Sequence, residues 1–310
     1  MLSDKTTDLS EDTLVLYLGL YSKLGVYNLE LEKFSSDELE RLSKVLQFKK
    51  MSRLPLKSFF INNAAELNSN ILVDLLLKKT ESAEAAEAEY HRQAMFPNLT
   101  ILEMPCINCD YCDVDSFDKL FSAYGKNILR LNLRSAVLSD GHINAISSNC
   151  SNLSSLDLSC NVVFPRTGDV SSLNIETVKG LLDKNPNIKN LSLADNSEMT
   201  SDKLATILGE RPRTALTHLN LARCLSISYQ DRNKSQLYKF LRDKCPNLIE
   251  LDLSCCYNID DTLINDIVKA CPNLTNFVKP NRESLTSEHL NKIRTPSLPS
   301  SGGSAPSANG

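Results

Sequence analysis

The sequence predicts an α/β solenoid, a curved horseshoe of about nine strand-helix units with a parallel sheet inside the bend and helices outside. Three observations carry this prediction. Leucine fills 50 of 310 positions, while Trp is absent and aromatics make up 6%. The pattern Leu-x-x-Leu-x-Leu recurs down the chain, and most copies are followed by an apolar stripe of helical period. The rest of the composition, 42% hydrophobic and 23% charged with a formal net charge of -4, is that of a folded chain. Without a basic excess it does not suit a protein that coats nucleic acid.

The repeat is clearest where Cys245-Pro-Asn-Leu-Ile-Glu-Leu-Asp-Leu-Ser-Cys-Cys256 is set beside Cys150-Ser-Asn-Leu-Ser-Ser-Leu-Asp-Leu-Ser-Cys-Asn161. Taking the second framework apolar residue as a marker places units at Leu29, Phe59, Leu102, Leu131, Leu156, Leu191, Leu219, Leu251 and Phe277, between 25 and 43 residues apart. Alternation along each copy puts the leucines on one side of a short strand and the x residues on the other. The helical stripes are Leu39, Leu42, Val45 and Leu46; Ile71, Leu72, Leu75 and Leu76; Phe117, Leu120 and Phe121; Val178, Leu181 and Leu182; Leu204, Ile207 and Leu208; and Leu263, Ile264, Ile267 and Val268. One strand and one helix cannot bury these residues alone, so neighbouring units must stack.

These motifs resemble the leucine-rich-repeat family, and the stretch from Cys245 to Leu274 is similar to the cysteine-containing subclass of F-box/leucine-rich-repeat substrate receptors. The segment from Ile128 to Ile146 looks more like the ribonuclease-inhibitor subclass. The resemblance implies a leucine-rich-repeat solenoid over residues 26–293. It also implies that the ninth residue of each unit, such as Asn196, Cys224 or Cys256, points inward and hydrogen-bonds the adjacent turn.

Both ends depart from the frame. Residues 1–25 read as an N-terminal cap, and Asp4, Asp8, Glu11 and Asp12 stand where a secretory leader would carry positive charge. No stretch reaches the roughly eighteen apolar residues of a spanning helix. At the other end Pro280, which has no N–H to donate, is expected to end the ladder. Residues 294–310 read as a disordered tail. The long second step contains an Ala/Glu-rich stretch around residue 85 that reads as a solvated helix extension.

The ten cysteines suit neither a short secreted disulfide scaffold nor an obvious metal site. Cys106, Cys109 and Cys112 form a C-x-x-C-x-x-C run, but a closed zinc site wants four ligands and the next candidates, His91, His142 and Cys150, are distant in sequence. No metal and no cofactor are expected. Asn-x-Ser/Thr sites at Asn98, Asn152, Asn190 and Asn273 lie where strands begin, so a glycan would crowd the next unit. A reducing, cytoplasmic or nuclear setting is therefore expected.

Catalysis finds little support. His218 is the only histidine on an expected strand, and Cys255 on the next strand lies roughly 16 Å along the strand direction. Asp157 and Asp252 are expected roughly 14 Å apart, three strand spacings of ~4.8 Å. What remains is the inner face. Its candidate partner-binding residues are Arg130, Asn132, Arg134, Asp157, Asn190, His218, Asn220, Arg223, Glu250 and Asp252. An ion pair between Asp195 and Arg223 is expected from their shared position on neighbouring strands.

The function expected is therefore non-enzymatic recognition of another protein, with no nucleic-acid or membrane partner. The resemblance implies an adaptor or substrate-selecting subunit, such as a ubiquitin-ligase component. No convincing F-box precedes the repeats, because Leu54-Pro-Leu-Lys-Ser-Phe-Phe60 belongs to the second unit. The alternatives are a microbial effector that uses the repeats to bind a host protein in the host cytosol and, more distantly, a metal-dependent enzyme.

Overall fold

The computed structural model describes residues 27–31, 35–47, 55–61, 67–78, 94–108, 111–160, 162–163, 171–172, 174–227, 236–257 and 259–295. The expected N-terminal cap, the Ala/Glu stretch, His91, Cys109, Asn161 and the tail from residue 296 lie outside the described residues.

Strands and helices alternate. In order they are β1 (Asn28–Leu31), α1 (Ser36–Leu46), β2 (Ser58–Ile61), α2 (Ser69–Leu76), β3 (Ile101–Glu103), α3 (Val114–Tyr124), β4 (Arg130–Asn132), α4 (Asp140–Asn149), β5 (Ser155–Asp157), β6 (Val162–Val163), β7 (Ser171–Ser172), α5 (Ile175–Lys184), β8 (Asn190–Ser192), α6 (Ser201–Leu208), β9 (His218–Asn220), α7 (Gln236–Lys244), β10 (Glu250–Asp252), α8 (Asp261–Ala270), β11 (Asn276–Val278), β12 (Ser284–Thr286) and α9 (Ser287–Arg294). Ten strands form one sheet, ordered β1-β2-β3-β4-β5-β8-β9-β10-β11-β12. The architecture is an α/β leucine-rich-repeat solenoid.

The strands from β1 through β11 in this sheet run parallel, and each repeat marker lies opposite the next, from Leu29 against Phe59 to Leu251 against Phe277. Burial of one face enforces this register, since a one-residue slip would turn every marker to solvent. Unequal unit lengths are absorbed away from the sheet. The step from Leu156 to Leu191, for example, accommodates the antiparallel β6–β7 pair. All six helical stripes named from the sequence are buried in the single core.

Helix starts are written locally. Ser35 and Glu38 form a capping box on α1, and Asn68, Asp113, Thr200 and Asp260 accept from N–H groups in the first turns of α2, α3, α6 and α8.

Between strand and helix the chain turns sharply. In six successive units the eighth residue is left-handed: Cys106, Ser135, Cys160, Asp195, Arg223 and Cys255 have φ between 56° and 64°. None is a glycine, so each conformation is held against its intrinsic cost. The hold comes from the next unit, where the seventh residue's carbonyl accepts the eighth residue's N–H at 2.7–2.8 Å. Asn132, Asp157, Asn220 and Asp252, at the fifth position, prepare the turn by accepting from the N–H two residues on at 2.8–3.0 Å.

Two side-chain ladders tie the units together. Cys224 and Cys256 at the ninth position donate their S–H to Leu193 and Leu221 carbonyls at 3.2 Å, and the Asn196 amide donates to Leu158 and Leu193 carbonyls at 3.3 and 2.8 Å. Before the strands, the amides of Asn127, Asn152, Asn247 and Asn273 donate to the carbonyls of Pro97, Lys126, Thr214 and Pro246. A glycan on Asn152 or Asn273 would disrupt this second ladder.

The C-terminal edge corrects the expectation for Pro280. The ladder continues past it: residues 279–283 fold back, and β12 pairs antiparallel with β11. Proline lacks a donor, but its carbonyl accepts from Cys255 N–H at 2.8 Å. Arg294, assigned to the tail from the sequence, ends α9. Its guanidinium donates to the carbonyls of Val268, Cys271 and Leu274 at 3.4, 2.9 and 2.8 Å and so satisfies the end of α8.

Candidate functional site: the concave sheet

The solvent-facing side of the sheet is built from two rows of side chains. The third positions contribute Arg130, Ser155, Asn190, His218 and Glu250, and the fifth contribute Asn132, Asp157, Ser192, Asn220 and Asp252. Together with Asn276 and Val278 they line a trough of about 300 Å3 across β4, β5, β8, β9, β10 and β11. Eight of the ten candidate residues are thereby brought together.

Arg134 and Arg223 are placed differently. They stand beside the trough in the strand-to-helix turns, where both reach Asp195: Arg134 Nη2 is 3.6 Å from Oδ2, and Arg223 Nε pairs with Oδ1. The expected Asp195–Arg223 pair is thus present, joined by a second arginine from two strands away. All three groups keep solvent contact, so the contribution to stability is small.

Within the trough Arg130 Nε lies 3.0 Å from Glu103 Oε1, and His218 Nε2 lies 3.8 Å from Glu250 Oε2. Glu103 was not among the candidates. It occupies the fifth position counted from Leu99, which was the signal available for it. Asn132, Asp157, Asn220 and Asp252 each commit one side-chain oxygen to the turn described above. For the two aspartates, which line the trough, the turn takes only one carboxylate oxygen.

The cysteine run is dispersed. Cys106 forms a partly exposed left-handed turn, whereas Cys112 is buried and its carbonyl accepts from His142 at 2.8 Å. Among the described residues no group of three or more His, Cys, Asp or Glu is arranged to hold a metal. Burial pushes the thiols of Cys112, Cys150, Cys224, Cys245 and Cys256 up to about 12 and that of Cys271 to about 11, so they stay protonated and unreactive at neutral pH.

His142, at 4% exposure, is part of the scaffold rather than the site. Its Nδ1 accepts from Ser139 N–H at 3.2 Å, its Nε2–H donates to the Cys112 carbonyl, and Phe117 meets it edge-on at 4.9 Å. Burial lowers its pKa from the ordinary 6.5, outweighing that carbonyl and nearby Asp113, which both act to raise it. Below about pH 6.5 the unfolded chain therefore takes up a proton that the folded chain refuses until a lower pH. Stability should be unaffected by this group above that pH and fall as the pH drops through the window beneath it. Urea midpoints at pH 7.5 and 5.5 test this, and H142Q should flatten the difference.

Fold and site together define a leucine-rich-repeat solenoid with an open, polar concave sheet. No family model matches the chain, and no curated protein matches it. Among solved structures, the leucine-rich repeat-containing protein LegL7 from Legionella pneumophila is similar over 87% of this chain and 90% of its own, at 19% identity and a TM-score of 0.49. A chain from the Rad7 and Elc1 complex in yeast is similar over 88% of this chain and 77% of its own, at 16% identity and a TM-score of 0.39. An internalin (inlF) from Listeria monocytogenes gives 94%, 89%, 14% and 0.32 for the same quantities. The fold assignment rests on strand register and helix order, not on these likenesses. No described helix is long and apolar enough to cross a membrane.

Proposed function

We propose that the protein is a non-enzymatic recognition scaffold whose concave sheet binds another protein, acting as an adaptor or substrate-selecting subunit. One observation carries this reading: eleven polar and charged side chains from six adjacent strands converge on one trough, while the opposite face of these strands is consumed by the core. Arg130 stands toward one end and Glu250 with Asp252 toward the other, four strand spacings or roughly 19 Å apart. An extended surface of mixed charge suits a protein partner better than a small molecule, which favours an enclosed apolar pocket.

The test uses the fold's own logic. Combining D157N, E250K and D252N removes or reverses charge while asparagine keeps the oxygen that each turn needs. Affinity capture from cytosol with mass spectrometry should then lose the wild-type partner, with affinity for it falling at least about tenfold. K203E on α6 is the control. Lys179 serves less well, because it pairs with Asp183 at 2.6 Å. Loss of the partner with the helix variant but not with the sheet variant would move the functional surface to the convex side.

A further inference from the structure

The strand-to-helix turns of the last units carry a second feature, separate from the trough. At the tenth position of most described units the residue is partly covered: Asn108, Val137 and Ser197. In the adjacent β9 and β10 units the same position holds Leu225 and Tyr257, which are 43% and 75% exposed. Tyr257 is the most exposed of the large hydrophobic residues described.

This apolar step is flanked by arginines. On the β9 side Arg223 shares Asp195 with Arg134, and a guanidinium has five donors, so much of its hydrogen-bonding capacity remains. On the β11 side Arg282 is held in a left-handed turn at φ 67°, with Nε donating at 3.2 Å to the Sγ of Cys255, two residues before Tyr257. Among the described residues no carboxylate pairs with Arg282, because neighbouring Glu283 is taken by Lys279 at 2.7 Å. On a chain of net charge -4, Arg282 thus carries charge that the described residues leave uncompensated, and Asp195 is shared between two arginines.

We infer that this rim, Arg223, Leu225, Tyr257 and Arg282, docks an acidic segment of a partner protein, with an apolar side chain seated on Tyr257 and Leu225 and carboxylates meeting the two arginines. Tyrosine and arginine are the residues most often found at energetic centres of interfaces, and a carboxylate suits the planar guanidinium fork. Leu225 and Tyr257 lie at the same position in the turns that follow adjacent strands, so their backbones are about one strand spacing apart, ~4.8 Å. One bulky side chain spans that distance. The inference stands beside the concave-face reading and does not depend on it.

The probe is a phage-displayed library of random dodecapeptides panned against the intact protein, with affinities of enriched peptides measured by fluorescence anisotropy. Enriched sequences should place Asp or Glu on either side of an aliphatic or aromatic residue. Their affinity should fall at least about tenfold in Y257S and in R282E, recover in R282K, and stay within about twofold of wild type in E250K. Urea unfolding of each variant shows that the turn is intact. No enrichment, enriched peptides without acidic residues, or affinities unmoved by Y257S and R282E would each overturn the inference. Loss in E250K with retention in Y257S would overturn it while supporting the concave face.

Discussion

Replacing Asn185 by alanine should lower the unfolding free energy by about 3 kcal/mol, because three buried backbone contacts lose their partner at once. Asn185 is 1% exposed. Its amide donates to the carbonyls of Cys150 and Leu181, both at 2.9 Å, and its Oδ1 accepts from Leu153 N–H at 2.9 Å. The last contact matters most. In other units the corresponding N–H closes a turn on its own backbone, as Leu248 does on Cys245 and Leu274 on Cys271. Leu153 N–H instead depends on Asn185, and a buried unpaired donor costs about 1–3 kcal/mol by itself. N185C is the informative control, since cysteine occupies this place in the units of Leu153, Leu248 and Leu274. It restores a weak donor but no acceptor for Leu153, so it should recover only part of the loss. Urea unfolding reads both variants. A loss under about 1 kcal/mol in N185A would mean that the freed groups find other partners.

The second large effect is expected at Tyr124, which anchors the longest step in the array. Its buried hydroxyl donates to the Leu76 carbonyl at the end of α2 and accepts from the N–H groups of Met95 and Phe96, at 2.9 and 3.2 Å. Segments on both sides of the Ala/Glu stretch therefore meet at one oxygen. Y124F keeps the ring and opens no cavity, so any loss is polar in origin. Met95 N–H retains the Leu76 carbonyl at 2.9 Å, whereas Phe96 N–H has no second acceptor among the described residues. About 2–3 kcal/mol of destabilisation is expected. Burial pushes the phenol's pKa up, so the hydroxyl remains a donor across the neutral range. Thermal unfolding of Y124F against wild type measures the effect, and an unchanged midpoint would show that the hydroxyl is dispensable.

The candidate site was legible in proportion to how local its causes are. The trough's rows follow from period-2 alternation once the markers are aligned, so Arg130, Asn190, His218 and Glu250 could be placed from the sequence. The Asp195–Arg223 pair was legible for the same reason, being one strand spacing wide. Arg134 joining that pair was not, because its side chain crosses the intervening β5 unit. The role of Asn132, Asp157, Asn220 and Asp252 was half hidden. Their position on the face was readable, but their bond to the N–H two residues on belongs to a turn that appears only when the chain bends. Among the helices, α4 and α7 were not singled out. Ile143, Ala145 and Ile146 in α4 and Leu237 and Leu241 in α7 give thinner stripes, and α4 places His142 in the core.

By itself the sequence determined the repeat, its register and the helices with full apolar stripes. Leucines at fixed spacing have one way to leave water, and stacking units in frame satisfies all of them together. The tertiary structure alone decided the left-handed turns, since serine, cysteine and arginine have no local preference for φ near 60° and are held there by the next unit's carbonyl. It also decided how the array ends. β12 folds back beyond Pro280 and Arg294 caps α8 because the last unit's open edge and carbonyls require partners, and no further repeat within the described residues supplies them.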